Sequence, residues 1–377
     1  MKINPPKIGI VTFPVSQAGV IPLSNLVNIF CSIVEEVHVV TGGDGFTAFK
    51  NNKKVHPYLV EHNSGHTLIS RIFKYVQTQI RISNKLFKLR KDVNCWVFFI
   101  GAEGLVIPIL TAKLLRKKVV VASAGTGFKP AKAANTDFAF FLGLLQTCTY
   151  YLANKIVLYS KGFVEQQGLG KYKNKIFIAH EHFLDFDLFK NQCQLNDRAF
   201  LVGYIGRLSE EKGAFNFVKA ISAILAERNE SICFIGGDGQ LKDNIEKYLL
   251  ENNLNKKVKF AGWISHEKLP QYLNDIKLVV IPSYYEGLPN IMLEAMACGT
   301  LVLATPVGAI PDFIKDSETG FIMEDNSPGC IATNIKRALN HPDIKQIENN
   351  AMTLVKKEFT YENAVLKYRE LFDKLCS

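Results

Sequence analysis

A chain of 377 residues, 47% of them hydrophobic and 21% charged, is too long for one ordinary core and too apolar for disorder, so two globular domains are expected. No run reaches the roughly 20 apolar residues that cross a bilayer. None of Cys31, Cys95, Cys148, Cys193, Cys233, Cys298, Cys330 and Cys376 forms a C-x-x-C pair, which argues for small buried thiols in a reducing cytoplasm and against a zinc site. The net charge of +10 is uneven, with 23 Lys+Arg and 8 Asp+Glu in residues 1–180 against 22 and 27 in the remainder, so the first half is the one expected to meet an anionic partner.

The opening MKINPPKIGIVTF reads as a first strand and not as a signal peptide, because its apolar run is short and ends at Pro14. Near-continuous apolar runs follow at 36–41, 95–101, 118–123 and 155–159, then at 200–205, 231–236, 258–261, 278–281 and 301–304. Runs of that kind suit parallel strands covered on both faces, and their alternation with amphipathic stretches predicts two doubly wound α/β domains. Between them, from 68 to 90, Leu68, Ile69, Ile72, Phe73, Val76, Ile80, Leu86 and Phe87 fall in a helical sector of about 140°. Arg71, Lys74, Arg81, Lys85 and Lys88 lie opposite, and no acidic residue occurs between Arg71 and Lys91. This helix is expected to dock on the sheet by its apolar sector. Its basic face would then be simply solvated, or would meet an anionic acceptor or an anionic lipid surface, the last by adsorption without insertion. The stretch 138–152, interrupted by Gln146, Thr147 and Thr149, reads as a buried helix. The polar, aperiodic segment 182–200 marks the domain boundary. The tail 361–375 has helical periodicity through Ala364, Leu366, Tyr368, Leu371, Phe372 and Leu375.

Two constellations carry chemistry. In SYYEGLPNIMLEAMACG, residues 283–299, Pro289 suits a helix start and Gly299 a helix end. The N–H groups of Gly287, Leu288 and Asn290 then sit at a helix N-terminus, where anions bind. Glu286 precedes that end and Glu294 lies about 12 Å further along the axis. That is too far for the roughly 5–5.5 Å carboxyl pair of a retaining hydrolase, and it suits two grips on a long ligand. In VGYIGRLSEEKGAFNFVKAI, residues 202–221, a strand ends at Gly206 and a helix begins near Gly213. Arg207 and Lys212 flank the turn and suit a diphosphate, although Glu210 and Glu211 offer them local ion pairs. Gly236-Gly237-Asp238-Gly239 reads as a turn. Asp185-Phe186-Asp187 lacks the further ligands of a metal site, and His180 and His182 read as hinge or surface residues.

The pattern resembles the retaining GT-B glycosyltransferases of family 4, or group 1, through GRLSEEKG at 206–213, Glu286 and Glu294 in EGLPNIMLEAMACG, and TPVGAIPDFIKDSETGFI at 305–322. The resemblance is close over 200–360 and only in outline before that. It implies two facing Rossmann-like domains: an acceptor-binding domain at 1–183, a linker at 184–198 and a nucleotide-sugar-binding domain at 199–358. A helix at 359–377 would cross back to the first domain. It further implies that Arg207 and Lys212 hold the donor diphosphate and that Glu294 takes the ribose hydroxyls. Glu286 would sit beside the transferred sugar, with Gly206, Gly287, Leu288, Pro289 and Asn290 lining the donor. No cofactor or metal is expected, and no nucleic-acid partner. The acceptor is expected to be a glycolipid, lipid-linked oligosaccharide or surface polysaccharide, met in the cytoplasm or on the inner membrane face. The chain departs from the family pattern at Gln17-Ala18-Gly19-Val20, at Ala124-Gly125-Thr126-Gly127 and at Ala179-His180-Glu181-His182-Phe183. Two other classes compete: an epimerase or phosphorylase on the same fold, and a basic nucleic-acid-binding protein, which leaves Glu286 and Glu294 unexplained. The lack of G-x-G-x-x-G after the first strand argues against a nicotinamide oxidoreductase.

Overall fold

In a computed structural model the chain divides into two units, Met1–Phe183 with Tyr361–Ser377, and Leu184–Thr360. The structure describes residues 7–63, 65–123, 137–227 and 232–376. The departure at Ala124 to Gly127 lies outside them.

The first unit holds β1 (Ile8–Val11), β2 (Val37–Thr41), β3 (Val55–Leu59), β4 (Cys95–Phe98), β5 (Lys118–Ser123), β6 (Lys155–Leu158) and β7 (Ile176–Ile178). They form one parallel sheet in the order β3-β2-β1-β4-β5-β6-β7, with Ile8 in register with Val37 on one side and Cys95 on the other. The central strands β1 and β4 are buried throughout, which is why they read as unbroken apolar runs. The two outer strands have no such run. β3 carries Pro57 and is half-exposed, as an edge strand tolerates, and β7 is only three residues long.

The Tyr361–Cys376 helix belongs to this unit and fills its core: Tyr368 and Phe372 pack edge-on against Phe30 of the Gln17–Cys31 helix. Val365 takes a buried position there and Leu366 points to solvent. His180 and His182 flank a buried Glu181, which accepts a 2.6 Å bond from the Tyr159 hydroxyl. Burial raises the Glu181 carboxyl to about 7 and lowers His180 to about 3.

The Leu68–Lys88 helix is docked differently from the expectation. Its buried residues are Thr78, Gln79, Ile82, Ser83 and Leu86, while Ile69, Ile72, Phe73, Val76, Ile80 and Phe87 are exposed. The reason is hydrogen bonding. Tyr75 donates its hydroxyl to the Gly104 carbonyl at 2.7 Å, and the Gln79 Oε1 accepts the Ile107 N–H at 3.0 Å. Thr78 Oγ1 lies 2.8 Å from His62 Nδ1. These polar contacts turn the helix so that most of the apolar sector faces outward. The Asp137–Leu152 helix likewise buries Thr149 and Tyr150 but exposes Leu144 and Tyr151, so it is half-buried and not enclosed.

The second unit holds β8 (Phe200–Ile205), β9 (Cys233–Gly236), β10 (Val258–Gly262), β11 (Ile276–Ile281), β12 (Leu301–Ala304) and β13 (Phe321–Ile322). They form a parallel sheet in the order β10-β9-β8-β11-β12-β13. Strand order therefore reverses between β8 and β11, the place where open α/β sheets receive ligands at their carboxyl ends. Residues 184–198 are part of this unit. Buried Arg198 ties them down, donating to the carbonyls of Leu273, Ile276 and Cys298 at 3.0, 2.9 and 2.8 Å and to Thr300 Oγ1 at 2.7 Å. No helix among the described residues is long and apolar enough to cross a membrane.

Candidate active site

Both constellations singled out from the sequence sit at the carboxyl ends of β8 and β11. After β8 the chain passes through Gly206 and Arg207 into a short 3-10 turn, Glu210–Lys212, and then the Ala214–Glu227 helix. Gly213 between them has φ +67°, and a Cβ there would lie 2.1 Å from the Pro282 carbonyl oxygen. Only glycine allows the two loops to close to that distance. The loops are joined again by the Tyr284 N–H, which donates to the Glu211 carbonyl at 2.9 Å.

This closure brings Lys212 to Glu286. The Nζ–Oε1 distance is 2.7 Å, and the Ser283 hydroxyl donates to the same oxygen at 2.7 Å. Glu286 is nearly covered, so its charge depends on these two partners. The loop after β12 covers it from another side. Gly308 has φ +64°, a Cβ there would stand 2.2 Å from the Glu286 carbonyl oxygen, and the Ala309 N–H donates to the Gly287 carbonyl at 2.8 Å.

Pro289 is the N-cap of the Asn290–Ala297 helix, one position earlier than the first helical turn. Gly299, with φ +67°, follows the C-cap Cys298 and stops the helix. The N–H groups of Gly287, Leu288 and Asn290 make no hydrogen bond among the described residues and lie at this helix start. Glu294 is buried inside the helix and faces His266, with Oε1 at 3.4 Å from Nε2. The two acids of the E-x7-E pair thus engage separate partners, Lys212 and His266.

Arg207 is not in that pair. Its Nη1 reaches Glu211 Oε1 at 3.0 Å on an exposed face, the local ion pair that Glu211 offers, while its carbonyl accepts the Tyr204 hydroxyl at 2.6 Å. Gly206 donates its N–H to the Gly236 carbonyl and Leu208 to that of Asp238, so the glycine-rich turn after β9 supports the Arg207 loop. Asp185 closes a local turn: its Oδ1 accepts the N–H groups of Asp187 and Leu188 at 2.9 and 3.2 Å. No group of three or more His, Cys, Asp or Glu that could hold a metal occurs among the described residues.

His266 and Ser283 were not singled out by sequence reasoning. Ser283 was inside the motif, but His266 lies in the loop after β10 with no spacing signal. Its pKa is raised above the ordinary 6.5, chiefly by the hydrogen bond to Glu294. A raised folded-state pKa contributes stability that is fully present below the unfolded value and lost as pH rises through the folded one. NMR titration is therefore expected to find His266 titrating above 6.5 in the wild type and close to it in Glu294→Gln. The stability at stake is under about 1 kcal/mol for so exposed an imidazole. An unchanged midpoint in the variant would remove Glu294 as the cause.

Two Rossmann-like units and a C-terminal helix returned to the first make this a GT-B fold. Anabaena HepE in complex with UDP has the same fold, with TM-score 0.76 at 15% identity over 97% of this chain and 99% of that one. So does sucrose-phosphate synthase of Thermosynechococcus elongatus, with TM-score 0.72 at 19% identity over 98% of each. Residues 185–353, within the second unit, match the model of the family of glycosyl transferases group 1. An uncharacterized glycosyltransferase of Methanocaldococcus jannaschii is 30% identical over 197 residues, 52% of this chain and 50% of that protein. The lipopolysaccharide 1,2-N-acetylglucosaminetransferase of Salmonella typhimurium is 28% identical over 193 residues, 49% of this chain and 51% of that one. The chain spans about half the length of these relatives.

Proposed function

We propose that the chain transfers a hexose-type sugar from a nucleotide-diphosphate sugar to a glycolipid, lipid-linked oligosaccharide or surface polysaccharide, with retention of configuration. The observation that carries this reading is the Lys212–Glu286 pair at the sheet reversal, beside a helix start with unused N–H groups, inside a group 1 domain. Lys212 and Arg207 would neutralise the diphosphate, and the N–H groups of Gly287, Leu288 and Asn290 would receive its oxygens. Glu294 would accept the ribose hydroxyls, and Glu286, held by Lys212 and Ser283, would face the transferred sugar.

In a front-face displacement the bond from the anomeric carbon to the donor phosphate breaks as the acceptor oxygen attacks from the same side. The departing phosphate takes the acceptor proton. The protein's contribution is to stabilise charge that grows on that phosphate. Two of the similar proteins support a nucleotide-sugar donor and a sugar transfer: HepE is seen with UDP and with UDP-glucose, and the Salmonella relative is a lipopolysaccharide 1,2-N-acetylglucosaminetransferase.

A thermal-shift panel of UDP, GDP, ADP and TDP sugars tests the donor. The right one at 100 times its Kd should stabilise by about 2.7 kcal/mol. NMR of the product then reads the anomeric configuration. Inversion would reject the retaining course, and stabilisation by none of the four would reject the donor site. Because the charge stabilisation is assigned to Lys212, Arg207 and backbone N–H groups, EDTA is expected to leave turnover unchanged. Complete loss, restored by a divalent ion, would bring Asp185 and Asp187 back as ligands.

A further inference from the structure

We infer that His266 is a positioning residue for the donor: through its contact with Glu294 it holds that carboxylate turned toward the hydroxyls of the donor ribose and balances its charge. The inference rests on the reading of Glu294 as the ribose acceptor and gives that acceptor a second residue. Nε2 of His266 lies 3.4 Å from Oε1 of Glu294, whose side chain is 8% exposed against 57% for the imidazole. No other hydrogen-bond donor or cation reaches the Glu294 carboxylate among the described residues. The direction and the charge of a buried carboxylate with a single partner are set by that partner.

Local structure places the imidazole there. β10 ends at Gly262, which has φ +65° and whose carbonyl accepts the Gly237 N–H at 2.6 Å. Ile264 then turns inward. Its Cδ1 lies 2.4 Å from where a Cβ on Gly236 would stand, so glycine at that position lets the loop lie against the end of β9. The Ser265 carbonyl accepts the N–H groups of Lys268 and Leu269 at 3.0 and 3.1 Å and leads into the Leu269–Asp275 helix. His266 is thus fixed between an inward anchor and a helix start. The ring of buried Phe189 meets its imidazole edge-on, with centroids 5.1 Å apart.

The charges around the imidazole are all of one sign. Glu294 on its helix, Glu267 in the loop and Asp185 at the start of the second unit each favour the imidazolium, the hydrogen bond to Glu294 most, while burial opposes it. A carboxylate accepts about four hydrogen bonds over its two oxygens. His266 takes one at Oε1, which leaves Oε2 for the neighbouring hydroxyls of a ribose. Imidazole and ribose then hold the same orientation of one carboxylate, so each strengthens the other's grip, and the coupling is reciprocal. A contact that served stability alone would not register whether a bound nucleotide carries its hydroxyls.

The test is calorimetric titration of the whole chain with UDP, GDP and ADP and with their 2′,3′-dideoxy counterparts, which keep the diphosphate and lose both hydroxyls. For the base that binds, wild type should prefer the ribonucleotide by about tenfold, the effect of a hydrogen bond to a charged group. His266→Ala should narrow that preference to about threefold and leave the affinity for the dideoxynucleotide near its wild-type value. A second measurement needs no variant. The NMR titration midpoint of His266 should stand higher in the ribonucleotide complex than in the dideoxynucleotide complex, since the two differ in the hydroxyls alone. An undiminished preference in His266→Ala, or equal midpoints in the two complexes, would overturn the positioning role. Equal binding of both nucleotides by wild type would take Glu294 off the ribose and the inference with it, while the donor site stands. Binding of none of these nucleotides would overturn the inference, and the nucleotide-sugar panel above then tells whether the donor site fails as well.

Discussion

Lys212→Ala and Glu286→Gln should each lower transfer at saturating donor by about 10²–10³-fold, the effect of removing one group that stabilises charge in a transition state. The two residues share one carboxylate oxygen with Ser283. Removing the ammonium leaves a nearly buried carboxylate with a single hydroxyl donor, and removing the carboxylate frees the ammonium to move off the site. Their effects should therefore be far from additive, with the double variant little worse than either single one. Circular dichroism melting checks that the fold survives, since neither side chain is part of the apolar core of the second unit. Near-normal turnover in both single variants would remove the pair from the chemistry.

Arg198→Ala is expected to have the largest effect on stability, about 3–5 kcal/mol, because it strands several buried acceptors at once. The guanidinium gathers the carbonyls of Leu273, Ile276 and Cys298 and the Thr300 hydroxyl at one point, from segments about 75 to 100 residues away from Arg198 in sequence. Arg198→Lys should recover little of the loss, since one ammonium cannot reproduce the planar fork. Urea unfolding monitored through both units gives the measurement. A midpoint shift no larger than that of an exposed Arg→Ala substitution would show that backbone groups there find other partners.

The strands and their parallel order were legible because buried parallel strands must be apolar along their whole length. That condition held for β1, β4, β8 and β12, and for β5 and β11 apart from Lys118, Ser123 and Lys277. It failed for β3, half-exposed with Pro57, and for β7 and β13 at three and two residues, where length and pattern fall below any signal. Periodicity also located the Leu68–Lys88 helix but misjudged its docking. Hydrophobic pattern states which side prefers to leave water. Here the partner surface offers the Gly104 carbonyl and the Ile107 N–H, which demand the polar side. The glycine-bounded motifs at 206–213 and 286–299 named the local turns, because a positive φ and a helix stop are properties of a few adjacent residues. What each charged side chain meets was decided only in three dimensions. Lys212 reaches Glu286 across 74 residues, Arg207 stays with Glu211 four residues away, and Glu294 finds His266 on another loop. Such pairings depend on how β8, β10 and β11 bring their carboxyl ends together, and no local pattern records which loops the sheet will make neighbours.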